Sequence, residues 1–249
     1  MLEQDELKYV FFGSALAVDV SIGQPTKDFL IDQTSAVLAP SGGYAVQTRE
    51  QTNFREIVRT GRVSATIIGN SDSADHFSTV ATATVENLDI LGVIKADAIV
   101  SRVAARAPKR VVDDGDMHPT TFFFHGSMFH GLKINGKHYE PTVADVAVDI
   151  PKDGDRKPLY EVTPDNGYKL RANSVGYKQI LVGHERKRPQ DPFLEFPEFG
   201  RIFVGEFDFF KGRVTLSMLR VELGCAVKGS VTGPVACVNG HPPPLKRVP

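Results

Sequence analysis

Apolar and polar side chains alternate with a period of two along most of this chain, and that spacing is the signature of a half-buried β-strand. Near the start, Phe12, Ser14, Leu16, Val18, Val20 and Ile22 fall on one face of such a strand. Gly13, Ala15, Ala17, Asp19 and Ser21 fall on the other. Residues 62–68 read the same way, and so do residues 77–85 with their Thr/Ala/Val alternation. Clusters of Gly, Pro and Asn punctuate the runs at residues 40–43, 69–73, 135–136 and 165–167, where turns are expected. A helical period is confined to two short candidates, residues 53–59 and 142–146.

Two hairpins can be drawn with a register. Asn135 and Gly136 form the strongest two-residue hairpin signal, because both central positions of the turn need positive φ. Ile134 then faces Lys137, Lys133 faces His138 and Leu132 faces Tyr139, which puts His130 on the face of Leu132 and Ile134 and His138 on the other. The second hairpin turns at Lys211 and Gly212. A two-residue loop there gathers Phe203, Phe207, Phe209, Val214, Leu216 and Met218 on one face, which supports the register. The other face pairs Asp208 with Thr215 and Glu206 with Ser217, then Val204 with Leu219 and Ile202 with Val221, with Arg201 beside Glu222. This pair is expected to be solvated on one side at its tip, buried on both sides at its base, and central to the core. Residues 108–119 and 185–197 read as long connections.

A chain of 249 residues is long enough to bury a core without staples, and an all-β unit of this size commonly stays single. The expected architecture is one antiparallel two-sheet sandwich or partly closed barrel over residues 1–249, with few short helices. Residues 240–249, carrying Pro242 to Pro244, read as a Pro-rich C-terminal arm. The formal net charge of -1 supplies no global field for nucleic acid or an anionic membrane. No apolar run approaches the roughly 20 residues of a membrane-spanning helix. Glu3, Asp5 and Glu6 stand where a signal peptide carries Lys or Arg, so the chain as written reads as cytoplasmic, and as secreted if a signal was trimmed. Cys225 and Cys237, the only cysteines, read either as one disulfide across a Gly-rich turn or as two reduced core thiols.

Phosphate loops, nucleophile elbows, zincin motifs and dinucleotide fingerprints are absent, and no cofactor is expected. Four of the seven histidines, His118, His125, His130 and His138, lie close together in sequence, and imidazoles are common metal ligands and general bases. The hairpin register separates His130 from His138, so the favoured reading is a set of unrelated core and surface histidines. The alternative joins His118, His125 and His130 with Asp114 or Asp116. The carboxylates of residues 113–116, with Asp153 and Asp155, fit no calcium-loop spacing. Glu206 and Asp208, two residues apart on a polar strand face, are candidates for acid–base work if they line a cleft. Arg186, Lys187 and Arg188 lack the interleaved aromatics of a base-stacking surface and read as a solvated loop. The candidate catalytic residues are therefore His125, His130, Glu206 and Asp208.

The run TVATATVENLDILGVIKADAIVS (79–101), the GLKING turn (131–136) and the closing GRVTLSMLRVELG (212–224) resemble the strand grammar of bacterial choice-of-anchor surface proteins. Together with FFGSALAVDV (11–20), the closing hairpin also resembles a group of uncharacterised bacterial proteins of similar length. The first resemblance implies a β-rich extracellular module, and neither supplies catalytic residues. The functional expectation is a noncatalytic β-rich module that acts by self-association, as a homo-oligomer, or by partner binding. The alternative is an enzyme or small-ligand binder with a pocket in the β-scaffold between His118 and His130.

Overall fold

The computed structural model describes residues 9–25, 28–31, 34–71, 75–109, 120–141, 147–149, 161–163, 167–173, 193–210 and 213–239, and every regular element among them is a strand. The first strands are β1 (Gly13–Leu16), β2 (Asp19–Gln24), β3 (Asp28–Ile31), β4 (Ser35–Val37) and β5 (Gly43–Arg49). They are followed by β6 (Thr52–Phe54), β7 (Val58–Thr60), β8 (Val63–Asn70), β9 (His76–Ile90) and β10 (Ile94–Pro108). Short strands come next: β11 (Thr121–Phe123), β12 (Met128–His130), β13 (Lys133–Ile134), β14 (Lys137–His138), β15 (Ala147–Asp149) and β16 (Glu161–Thr163). The chain closes with β17 (Gly167–Asn173), β18 (Phe193–Phe196), β19 (Gly200–Phe210), β20 (Arg213–Gly224), β21 (Lys228–Thr232) and β22 (Val235–Asn239).

These strands form two antiparallel sheets, one curled into a half-barrel. The first sheet runs β16-β17-β19-β20-β21-β2-β3, with β22, β1 and β4 continuing from β20 and β18 pairing β19. The second runs β14-β13-β10-β9-β7-β6, with β8 and β5 continuing from β9, and β11, β12 and β15 beyond β10. The all-β sandwich read from the alternation is therefore the fold. Residues 53–59 are not a helix: β6 and β7 pair across a turn in which Arg55 (φ 48) and Glu56 (φ 59) both adopt left-handed backbone. The other helical candidate, residues 142–146, lies outside the described residues. Phe193–Phe196, expected in a connection, is strand β18, paired with β19.

Both drawn registers are present. Ile134 pairs Lys137 and Lys133 pairs His138. Along the second hairpin Phe207 pairs Leu216, Glu206 pairs Ser217 and Ile202 pairs Val221. Strand β20 has β19, β21 and β22 as neighbours, so the last hairpin is central to its sheet. At its base Ile202, Phe203 and Val204 are successive buried residues.

The face assignment, however, changes partway along the strands. On β20 the buried side chains are Val214, Leu216 and Met218, then Leu219, Val221 and Leu223. The same shift occurs at Gly205 (φ 65) on β19, between Gly233 and Pro234, and between Ala17 and Val18. These positions adjoin: Met218 N–H donates to the Pro234 carbonyl (3.1 Å), and Ala17 N–H to that of Thr34 (3.2 Å). A one-residue change of parity turns a strand's buried set to its opposite face. When neighbouring strands change on one rung, pairing survives while the side that meets the core changes. So Gly13, Ala15 and, just past β1, Ala17 face inward, and from Val18 onward Val20 and Ile22 of β2 take over.

The second sheet has its own seam. Buried residues run Ala81, Ala83, Val85, then Leu88 and Ile90 on β9, and Ile94, Ala96, then Ile99 and Val103 on β10. Asn87 (φ 49) stands at the break, and Gly131 (φ 62) marks it between β12 and β13. Gly131 takes a left-handed backbone that L side chains rarely adopt, and a Cβ there would also crowd the Asp97 side chain. The two sheets meet through β1, β4, β22 and β20 on one side and β8, β9 and β10 on the other. Gly13 makes room for Ile67, and the buried Ser101 hydroxyl donates to the Leu216 carbonyl (2.9 Å). Burying one such Ile or Leu contributes about 1.5–3 kcal/mol. Asn239 ties β22 to the segment before β1, accepting from Phe12 N–H (3.2 Å) and donating to the Val10 carbonyl (2.9 Å).

Candidate functional site

The densest described charge cluster lies on the base of the β19–β20 hairpin. Arg220 reaches Glu206 with two nitrogens, Nε to Oε2 at 2.8 Å and Nη2 to Oε1 at 3.0 Å, and also donates to Glu222. Arg201 lies 4.0 Å from Glu222 and 3.8 Å from Glu195 on β18. The order Glu195, Arg201, Glu222, Arg220, Glu206 alternates in sign without a break. The Arg220 guanidinium also lies 3.5 Å from the Phe203 ring centroid, and Arg201 lies 4.9 Å from that of Phe193. Burial works against the charge on Arg220, but Glu206 and Glu222 outweigh it and hold the guanidinium above its ordinary value.

Strict alternation puts Glu206 and Arg220 on opposite faces of the hairpin. The parity change at Gly205 and Met218 brings them together, which is why the sequence pointed to Glu206 and missed Arg220. A carboxylate held by both oxygens in a bidentate arginine pair has its acceptor sites engaged. The ladder thus reads as a stabilising network, and Glu206 is not placed as a free base. Asp208 pairs Thr215 through its backbone, and its side chain lies outside the described residues.

The histidines do not converge. His130 is exposed, not packed with Leu132 and Ile134, because left-handed Gly131 separates them. Its Nε2 lies 3.9 Å from Asp97 Oδ2, with both side chains about 70% exposed (70% and 69%). His125 and His138 are also exposed. Since His130 and His138 both reach solvent, the register does not separate them as expected. Among the described residues, no three His, Cys, Asp or Glu side chains group closely enough to hold a metal ion. His118, the carboxylates of residues 113–116, Asp153, Asp155 and residues 186–188 lie outside the described residues. Cys225 and Cys237 are free thiols, and burial raises the Cys237 thiol above its ordinary value.

A third region was not anticipated. One rung of the second sheet passes through Tyr44, Ile68, Val80, Ala104 and Phe123, each the register partner of the next. All five point away from the buried side: Tyr44 is 80% exposed, Ile68 44% and Phe123 36%. Val46 (61%) and Met128 (47%) extend the same outer surface. Alternation named Ile68 as a strand residue but gave no reason to expect it outside.

Residues 9–189 match the model of a family described as a domain of unknown function, DUF8256. The chain belongs to that family. Nothing among curated proteins or solved structures matches it. The span shared with other DUF8256 chains takes in β1 to β17 and so includes the outer rung of the second sheet. The ladder around Arg220 lies beyond it, on β18, β19 and β20, whose neighbours β21 and β22 pair with β2 and β1.

Proposed function

We propose that this DUF8256 protein is a noncatalytic β-rich module whose work is association, with its own copies or with a partner, through the outer surface of the second sheet. The observation that carries the reading is the contiguous rung from Tyr44 to Phe123, flanked by Val46 and Met128. Isolated apolar side chains on a protein surface need no explanation, but contiguous ones commonly mark an interaction face. Among the candidate residues whose side chains are described, Glu206 is engaged by Arg220, and His125 and His130 are exposed.

Sedimentation velocity over a wide concentration series tests this, together with the hydrogen-exchange protection of β5, β8 and β11. The expected result is a species heavier than the 27.2 kDa chain, with those strands protected as it forms. A chain that stays at 27.2 kDa throughout, with no protection gained on the second sheet in an extract of its source cells, overturns the reading.

A further inference from the structure

Native sheets blunt their edges with very short strands, charges, prolines or covering elements, because an open edge invites another strand. Among the described residues, the strands with a single partner are β3, β4, β5, β6, β12, β14, β15, β16 and β18. All have four residues or fewer except β5, which has seven. Its partner β8 pairs all seven residues on one side, and among the described residues no strand pairs the other side. The adjacent edge, β4, is short, and the Gln47 side chain accepts from the Ser35 N–H (3.2 Å). The sequence of β5, Gly-Tyr-Ala-Val-Gln-Thr-Arg, contains no Pro or Lys, and six of its seven residues are exposed.

We infer that the occupant of this edge is a second copy of the chain, joined β5 to β5 in antiparallel fashion about a two-fold axis through Val46. Centring the axis there pairs all seven residues. Val46 meets Val46 of the second copy, Tyr44 meets Thr48, and Gly43 meets Arg49. The strand's one charge thus faces a glycine, so no like charges oppose each other. The pairing keeps both outer surfaces on the same side. Tyr44 and Val46 of each copy then make one apolar group across the axis, since diagonal neighbours lie within reach of an aromatic ring. This isologous arrangement closes after two copies, because each chain's β5 edge is used once. The inference rests on the association reading and names its partner.

Charge exchange at the axis tests it. Val46 is exposed and outward, so V46K and V46E should both fold as the wild type does, checked by circular dichroism and thermal unfolding. Each variant alone sets like charges against each other on the two-fold and should dimerise about tenfold or more weakly. An equimolar mixture should recover a 1:1 heterodimer, visible by native mass spectrometry. Only a contact of Val46 with itself gives that pattern. If the wild type dimerises but neither variant weakens it, or the mixture does not recover, the β5 pairing is wrong while association stands. A wild type that is monomeric at every concentration removes the pairing and the self-association behind it together.

Discussion

The Arg220 ladder on the first sheet and the apolar rung on the second are finished in opposite ways. On the first sheet, Phe203 is covered by the Arg220 guanidinium, and Arg220 is fixed by Glu206 and Glu222. The apolar ring is hidden and each charge of the ladder has a partner of opposite sign. On the second sheet, Tyr44, Val46, Ile68 and Phe123 stand on an equally regular ladder and remain in water. The contrast is between a ladder whose charges are partnered within the chain and a rung whose apolar side chains face water. Substitutions on the first should therefore cost stability, and substitutions on the second should change association.

The seam glycines let that contrast exist, and the largest effect is expected there. A Cβ at Gly233 would lie 2.1 Å from the Ala17 carbonyl oxygen and 3.0 Å from the Val18 Cα, at φ +152. Neither obstacle is the flexible end of a side chain. Gly233→Ala should cost about 3 kcal/mol or more, read from urea unfolding. Gly136→Asn, at a hairpin tip where a Cβ would meet nothing within 4 Å, should stay within about 1 kcal/mol. Equal losses at the two positions would mean that the seam is not a packing constraint.

Next comes the ladder itself. Arg220→Met keeps bulk over Phe203 but leaves Glu206, whose side chain is only 14% exposed, without its bidentate partner. The expected cost is about 2 kcal/mol, and Glu206→Gln added to it should recover part of that loss. A double variant as unstable as the sum of the singles would show that the two residues are not coupled.

Why the sequence revealed the registers but not this ladder has a local cause. Asn135 with Gly136 specifies a turn by itself, and the spacing of Phe207, Phe209, Val214 and Leu216 fixes the second loop length. Both are readings of near neighbours. The seams depend on Asn87, Gly131 and Gly205, single residues within good alternation, where one glycine is equally consistent with a bulge or a close approach. Only the alignment of such residues across strands distant in sequence, such as Ala17 beside Gly233, identifies a seam. Hence Glu206 was found without its Arg220 partner, and His130 was assigned to the wrong face. The exposed rung was hidden for a related reason: Tyr44, Ile68, Val80, Ala104 and Phe123 come from five separate strands.

A smaller effect should separate the sheets by pH. Asp19, in β2 on the first sheet, has its carboxyl pushed above the ordinary value by burial, which hydrogen bonding to the Val20 backbone only partly offsets. The folded chain therefore holds that proton more tightly than the unfolded chain. Its contribution is fully present below the unfolded pKa and is lost as pH rises through the raised folded value. Asp19→Asn should raise stability at neutral pH relative to the wild type and flatten that part of the pH–stability curve. An unchanged slope in the mildly acidic range would assign the titration elsewhere.

The smallest effect on folding is expected where the functional effect should be largest. Tyr44 is 80% exposed, so Tyr44→Ser removes little area that folding had buried, and its cost at low protein concentration should lie within about 0.5 kcal/mol. At high concentration the variants should diverge. Ligation of the folded state by a second chain raises the wild-type melting temperature with concentration. Tyr44→Ser weakens the apolar group at the β5 axis and should flatten that dependence. Ile68→Ser, one strand away from the edge, is its control: it alters the same surface without touching the pairing strand. A flattened dependence for Tyr44→Ser alone locates association at the edge. Equal flattening for both makes the whole outer face the contact, and none in either returns the apolar rung to ordinary surface.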